Sequence, residues 1–411
     1  MTFAGESDNV RRFLLPGTCA DPVTQDGLVK MPERTAAARR PTRLVPLLSL
    51  LALVAGCSPE RYPQTALLPL SDYARIGDHV QDQTFYWALG VFVLVEGALL
   101  YAIFRFRGRP DDPEPPQIHG NTTIEIIWTL IPALILAAIA VPTVKGIFET
   151  NASPTGDVLK IEVIGHQWWW EFRYPDLNVT TANELHVPVG RTVELLQNSA
   201  DVVHSFWPPR FAGKRDVFPG RQTRMWFKAD SAGLFPGQCA EFCGIQHARM
   251  AFQVRASSPA EYDAWAAHMR TLGPKPAAAA PRGDSVKTAS AGGTVQGPKV
   301  PSRGPQAKAD SAAPSSQDPE YAKGEQLFKM KGCIGCHSLQ AVDAPKGMIG
   351  PNLATVGSRA YIAAGWLRNT DENLEHWIRE PQTVKKGVLM PNLGVTADEA
   401  KALRAYLRAH P

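Results

Sequence analysis

The sequence predicts a multidomain membrane protein made of a two-helix transmembrane hairpin, an all-β barrel and an all-α domain. Three observations carry this: two long apolar runs between residues 85 and 148, short alternating runs from 158 to 256, and helical periodicity over 319–411. At 411 residues the chain exceeds one ordinary domain. Its formal net charge is +4 with no basic block, which argues against nucleic acid as a partner.

Residues 1–30 show no clear periodicity and are expected to be an extension upstream of the true start, Met31. From there "MPERTAAARRPTRLVPLLSLLALVAGC" sets Arg39, Arg40 and Arg43 before an apolar run from Leu44 to Ala55, the build of a secretory signal over 31–56. The run is too short to span a bilayer, and a short buried helix is its competing reading. Its ending resembles a bacterial lipobox, which implies lipidation of Cys57 and an anchor in membrane lipid. Residues 57–82 are then expected to be a periplasmic tether.

The hairpin is expected over 83–150. "FYWALGVFVLVEGALLYAIFRF" and "IEIIWTLIPALILAAIAVPTVKGIF" are each long enough for the roughly 20 residues a crossing needs. Arg105, Arg107 and Arg109 edge the intervening loop, and positive charge places that loop in the cytoplasm. Everything after residue 150 then faces the periplasmic or outer side of a bacterial cell membrane. Glu96 sits within the first run, where an ionisable group is costly and usually paired or functional.

Between 155 and 271, runs such as "VLKIEVIGHQWWWEFRY" and "MAFQVRAS" alternate between Pro, Gly, Asn and Asp punctuation, which reads as short strands of a sandwich or barrel. A short helical stretch over 259–271 closes it. Residues 272–318 are Pro, Ala, Gly and Ser with almost no large apolar side chains, so they cannot bury a core and read as a flexible linker. Beyond it Thr396 and Glu399 form a capping box at the start of a terminal helix.

Six cysteines divide into two close pairs, Cys239/Cys243 and Cys333/Cys336, with Cys19 and Cys57 alone. Pairs of this kind read as ligation or attachment sites rather than a disulfide scaffold. "CIGCH" at 333–337 has the spacing for covalent haem attachment, with both thiols bonding the porphyrin and His337 ligating iron. A redox C-x-x-C with a chance histidine is the alternative. "VLMPNLG" offers Met390 as sixth ligand, and Met/His ligation raises the potential of such a haem. Met330 and Met348 are rivals, set too close to the attachment motif. "CAEFCGIQHARM" (239–250) packs two thiols, an imidazole and a thioether into one loop, and "DVVHSFW" (201–207) adds His204. Zinc takes cysteine and histidine but rarely a thioether, whereas copper accepts all three. One copper would be over-supplied; two sharing both thiolates would use the whole set.

These two segments resemble the binuclear copper A site of cytochrome c oxidase subunit II. The resemblance implies a cupredoxin-like barrel in which Cys239 and Cys243 bridge two coppers, His204 and His247 cap them, Met250 is a weak ligand and Glu241 gives a backbone carbonyl. It also implies a magnesium ion at the Glu241 side chain, on the border with subunit I. "GHQWWWEFRYP" (165–175) is similar to the family's aromatic stretch, with Trp168 where electrons arrive from cytochrome c; Trp169 and Trp170 can equally be packing. In "EIIWTLIPALILAAIAVP" Glu125 matches a proton-path glutamate, its competing reading being an interfacial charge. "KRDVFPGR" (214–221) resembles the loop that faces the catalytic subunit.

Residues 319–411 resemble a class I cytochrome c. "GPNL" (350–353) matches the loop in which Pro351 orients the histidine, and Gly324, Phe328 and Tyr406 match its contact between first and last helices. The fusion resembles caa3-type oxidases. It implies a proton-pumping complex with subunits I and III, in which subunit I reduces oxygen to water and a cytochrome c or bc-type complex is donor. The linker would hold the haem near copper at an effective concentration of about millimolar. A copper A subunit of a nitric oxide reductase is the alternative assignment; a quinol oxidase subunit lacks the metal ligands, and a stand-alone copper carrier would need no hairpin.

Overall fold

Apolar runs become helices in lipid because a bilayer interior offers backbone groups no other partners. The structure is a computed structural model that describes residues 62–108, 113–114, 116–272, 319–342, 344 and 348–410. The upstream extension, the signal-like segment, Cys57, Arg109 and the linker over 273–318 lie outside the described residues. Helix α1 spans Asp72–Arg105 and α2 spans Thr122–Asn151, and both leave their apolar side chains exposed, as a lipid-covered pair does. Ser71 caps α1 by accepting from Ala74 N, and Asn121 caps α2 by accepting from Thr123 N and Ile124 N.

One boundary differs from the sequence reading. Residues 72–82, assigned above to a tether, are the first turns of α1. Apolarity marks only the stretch that lipid covers, so the polar extension of the same helix escapes it. That extension is fastened to the barrel. Lys228 N donates to Asp72 Oδ1 at 2.9 Å, Leu70 N donates to the Arg210 carbonyl at 2.7 Å, and Arg75 pairs with Asp230. Arg224 likewise donates to the Asn151 carbonyl at the end of α2, at 2.7 Å.

The barrel holds ten strands in two five-stranded sheets. They are β1 (Val158–His166), β2 (Trp169–Tyr174), β3 (Val179–Ala182), β4 (Glu184–Pro188), β5 (Thr192–Ser199), β6 (His204–Trp207), β7 (Arg215–Val217), β8 (Thr223–Lys228), β9 (Gly233–Cys239) and β10 (Ala251–Ser257). One sheet runs β3-β2-β1-β5-β8, the other β4-β10-β9-β6-β7. Ile161, Val163, Trp170, Phe172, Phe206 and Phe252 are fully buried between them. Side chains of that size contribute about 1.5–3 kcal/mol each when buried. Trp170 is therefore packing, as one of its two readings expected. Helix α3 (Pro259–Thr271) closes the domain with a Ser258/Glu261 capping box.

In the all-α domain, α4 (Pro319–Met330) crosses the terminal helix α7 (Ala397–Arg408). Gly324 makes the crossing possible: a Cβ there would lie 2.1 Å from the Ala402 carbonyl oxygen. Phe328 and Tyr406 meet beside it with ring centroids 5.7 Å apart. The sequence's capping box at Thr396 and Glu399 is formed. Helices α5 (Asp371–Arg379) and α6 (Pro381–Val384) and the short pair β11 (Tyr361–Ile362) and β12 (Leu367–Arg368) complete it.

This domain sits directly on the barrel. Ala341 and Ala354 join the barrel's buried core, Thr180 N donates to the Ala341 carbonyl at 2.8 Å, and Ala251 N donates to that of Ala364 at 3.0 Å.

Candidate functional site

Register brings the sulfur and nitrogen donors together. Strand β6 pairs with β9 so that Phe206 faces Cys239, which sets His204 on the strand beside the end of β9. Cys239 N donates to the Met250 carbonyl at 2.9 Å, closing the loop that carries Cys243 and His247. His204 Nδ1 lies 3.9 Å from Cys239 Sγ, the two sulfurs 3.7 Å apart, His247 Nδ1 3.7 Å from Cys243 Sγ and Met250 Sδ 3.8 Å from the same sulfur. A disulfide needs about 2.05 Å, so the pair is not one. Two donors about 2.0–2.3 Å from a shared tetrahedral metal stand about 3.3–3.8 Å apart, close to the separations here. The donor set therefore fits metal, and its thiolate, imidazole and thioether mixture fits copper. The Glu241 carbonyl oxygen joins it at 3.2 Å from Cys239 Sγ, while its carboxylate points to Lys214 at 3.8 Å.

Electrostatics prepare the thiols. The hydrogen bond between the two sulfurs holds the Cys239 thiol far below its ordinary range and pushes that of Cys243 up, so one proton is shared and one negative charge is already favoured. Metal binding would release the remaining proton. Burial pulls His204 down, but Asp201 and Cys239 outweigh it and raise the imidazole. Asp201 Oδ1 lies 2.8 Å from His204 Nε2, which leaves Nδ1 aimed at the sulfurs. The sequence reading missed Asp201, although it stands three residues before His204 in the same motif. It also missed Gly165, where a Cβ would sit 2.8 Å from His204 Cδ2.

Trp168 is buried, and its Nε1–H donates to the Cys243 carbonyl at 3.0 Å, one residue's backbone away from a sulfur donor. Its neighbour Trp169 stacks on His166, with centroids 4.1 Å apart, and donates to the Ile349 carbonyl of the all-α domain at 3.3 Å. Trp169 packs on the barrel, as its packing reading expected, and is an interdomain contact as well, clustering with Ala182 of the barrel and Ala364 of the all-α domain.

The second donor group is Cys333, Cys336 and His337 on one turn, where His337 N donates to the Cys333 carbonyl at 3.0 Å. His337 Nδ1 lies 2.8 Å from the Pro351 carbonyl oxygen. A carbonyl only accepts, so Nδ1 carries the proton and Nε2 is left bare for iron. Burial, then Arg359, lowers this imidazole against the Pro351 bond, and neutrality is the form a ligand needs. A Cβ at Gly350 would meet His337 Cε1 at 2.6 Å. Buried Arg359 also leaves its Nε without a hydrogen-bond partner among the described residues, which suits an anionic group such as a haem carboxylate. These residues fit a covalently held haem. Met390 is half-buried on a loop tied down by Gln382 Nε2, which donates to the Met390 carbonyl at 2.6 Å. Met330 is 73% exposed.

Three family profiles match: cytochrome c oxidase subunit II, transmembrane domain, over residues 71–145; its periplasmic domain over 177–257; and cytochrome c over 321–411. "Cytochrome c oxidase subunit 2" of Alkalihalophilus pseudofirmus is 36% identical over 376 residues, covering 90% of this chain and 96% of that one. The chain belongs to the cytochrome c oxidase subunit II family. It is a subunit of an oxidoreductase complex, with a cytochrome c domain fused behind the periplasmic one. The Bacillus subtilis "Cytochrome c oxidase subunit 2" is 30% identical and covers 89% of this chain and 97% of its own length. "Quinol oxidase subunit 2" of Bacillus cereus is 31% identical but covers only 56% of this chain and 80% of its own length.

Glu125, expected on a proton path, stands in the first turn of α2. Its Oε1 accepts from Asn121 N at 3.2 Å, so it serves the helix cap in this structure.

Proposed function

We propose that this chain receives electrons for a proton-pumping oxidase, binding haem at Cys333, Cys336, His337 and Met390 and two coppers at His204, Cys239, Glu241, Cys243, His247 and Met250. When bound, these groups supply one-electron carrier chemistry, the last acceptor being the haem–copper subunit I. The observation that carries the reading is the pair of sulfurs 3.7 Å apart, flanked by His204, His247 and Met250. The protein's part is to hold. Asp201 and Pro351 orient the two imidazoles, burial keeps water from the thiolates, and Trp168 holds the Cys243 backbone through its carbonyl.

Further assignments rest on family likeness: subunit III as a neighbour, a cytochrome c or bc-type donor, magnesium at Glu241 and a proton-path role for Glu125. Lipidation of Cys57 rests on the lipobox-like run before it, and a bacterial cell membrane with both soluble domains outside rests on the basic loop between the two apolar runs. The domain limits, with the hairpin begun at Asp72, are part of the same proposal.

Electron spin resonance and optical spectra of the purified complex test it. The expected result is one unpaired electron shared by two coppers beside a c-type haem band, with oxygen consumed. A single-copper pattern with His204 intact would sink the copper assignment. Consumption of nitric oxide in place of oxygen would move the chain to a nitric oxide reductase.

A further inference from the structure

The seat of the haem domain on the barrel is built from reciprocal reaches between two loops that each carry donors. On the barrel side the loop is 244–250, between Cys243 and Met250. Arg249 Nη1 donates to the Val384 carbonyl at 2.9 Å, and its guanidinium lies 4.4 Å from the centre of the Trp366 ring. Gln246 Nε2 donates to the Lys386 carbonyl at 2.5 Å. On the haem side the loop is 384–390, ending at Met390. Lys385 reaches back, its Nζ donating to the Arg249 carbonyl at 2.8 Å and to that of Ala363 at 3.1 Å.

Lys385 is the unusual member. It is 1% exposed, and the partners of its Nζ among the described residues are the two carbonyls. Burying an ammonium on carbonyls alone is costly, and burial pulls it down to about 7. A methionine would fill the same space without that cost. What the ammonium adds is a directed hydrogen bond to the backbone of the copper loop at Arg249, with a second to the haem domain's own backbone at Ala363 that fixes its direction.

We propose that Lys385 and Arg249 form a crossed latch that holds the two donor loops in one fixed relation and thereby sets the rate of electron transfer between the domains. The proposal rests on the haem and copper reading above. One electron leaves the haem domain as one arrives at the copper domain, with no bond made or broken. Lys385 is a positioning residue: it touches neither donor group and acts through the Arg249 carbonyl, one residue from Met250. On this reading the haem domain works docked and does not swing on its linker.

The experiment uses the full chain, loaded with copper and haem, as Lys385→Met, Lys385→Arg and Trp366→Leu. Flash reduction of the haem reads the interdomain rate, and pulsed dipolar spin resonance reads the distance distribution between the domains. Lys385→Met is expected to slow transfer at least about tenfold, since small misplacements of reacting groups cost up to about a hundredfold. Its distance distribution broadens, while copper and haem spectra and both potentials stay native. Lys385→Arg recovers part of the rate. Should Lys385→Met lose its haem or fail to fold, Trp366→Leu carries the test with the same expectation, because it removes only one face of the Arg249 contact. Native rate and a single sharp distance in the variant that folds overturn the latch. A parent protein without the shared-copper signal or the c-type band overturns the underlying reading instead.

Discussion

Carboxylate and carbonyl partners decide which nitrogen of each imidazole is free, and this is the scale at which both sites are set. Asp201 holds His204 by Nε2, and Pro351 holds His337 by Nδ1, so the two rings present opposite nitrogens to their donor groups. Replacing Asp201→Asn keeps the shape but removes the charge behind His204. Copper affinity is expected to fall about 10–100-fold, read by competition with a chelator of known affinity; unchanged affinity would show that the sulfurs alone hold the metal. Gly350 works by absence. In Gly350→Ala the new methyl meets His337 at 2.6 Å, so the ring must turn from its Pro351 partner. The expected outcome is a chain that keeps its copper spectrum while its haem band shifts or is lost; a native band would mean the 350 loop yields freely. The cysteine, histidine and methionine side chains that the structure brings together at 204–250 fall in short motifs whose residue types the sequence shows, whereas the Glu241 carbonyl was expected from the family resemblance alone. The orienting partners of the two imidazoles were less legible, since Pro351 acts through a carbonyl that every residue has and Asp201 through a turn whose direction spacing alone does not give.

Helices and strands differ in how much of their own placement they declare. The apolar runs declared α1 and α2, but the start of α1 at Asp72 was hidden. Its first turns are polar because they rise out of lipid and lean on β8 through Asp72 and Lys228. The α4–α7 crossing was visible from Gly324, Phe328 and Tyr406, and the structure explains why glycine stands there. A Cβ at 324 would meet the Ala402 carbonyl at 2.1 Å and Tyr406 Cβ at 2.7 Å, neither of which is a flexible side-chain tip. Gly324→Ala gains helix propensity worth about 1 kcal/mol, yet forces the helices apart at a cost of about 1–3 kcal/mol or more. The net effect is expected to be loss of stability, read as a lower unfolding temperature of the haem band with barrel unfolding unmoved. A rise in that temperature would mean the crossing is looser than drawn.

At the level of the whole molecule, the seating of one domain on another was not legible, and the reason is chemical. Many of its contacts end on carbonyls, those of Val384, Lys386, Arg249, Ala341 and Ala364, which carry no residue signature. Besides Lys385, a carboxylate takes part in this seating. Glu184 on β4 accepts from Ala360 N of the haem domain at 2.9 Å and feels Arg359 from the same domain. Burial pushes its carboxyl up, but the His186 hydrogen bond, with His186, Arg255 and Arg359 charge, outweighs this and holds it below its ordinary value of 4.5. Ala360 N and Arg359 both favour the ionised carboxylate, so protonation weakens each of these interdomain contacts. A depressed carboxylate pKa gives stabilisation that is complete above the ordinary value and fades as pH falls through the depressed one. These contacts are therefore insensitive to pH near neutrality and weaken through Glu184 only in acid, below its ordinary value of 4.5. Solution scattering of the full chain across that range should show the haem domain separating from the barrel as pH falls. Glu184→Gln, which can still accept from Ala360 N but cannot ionise, should flatten the part of the acid transition that belongs to this contact and weaken docking modestly at neutral pH. An acid transition identical in both proteins would assign the loosening to other carboxylates and leave Glu184 as a plain hydrogen-bond acceptor.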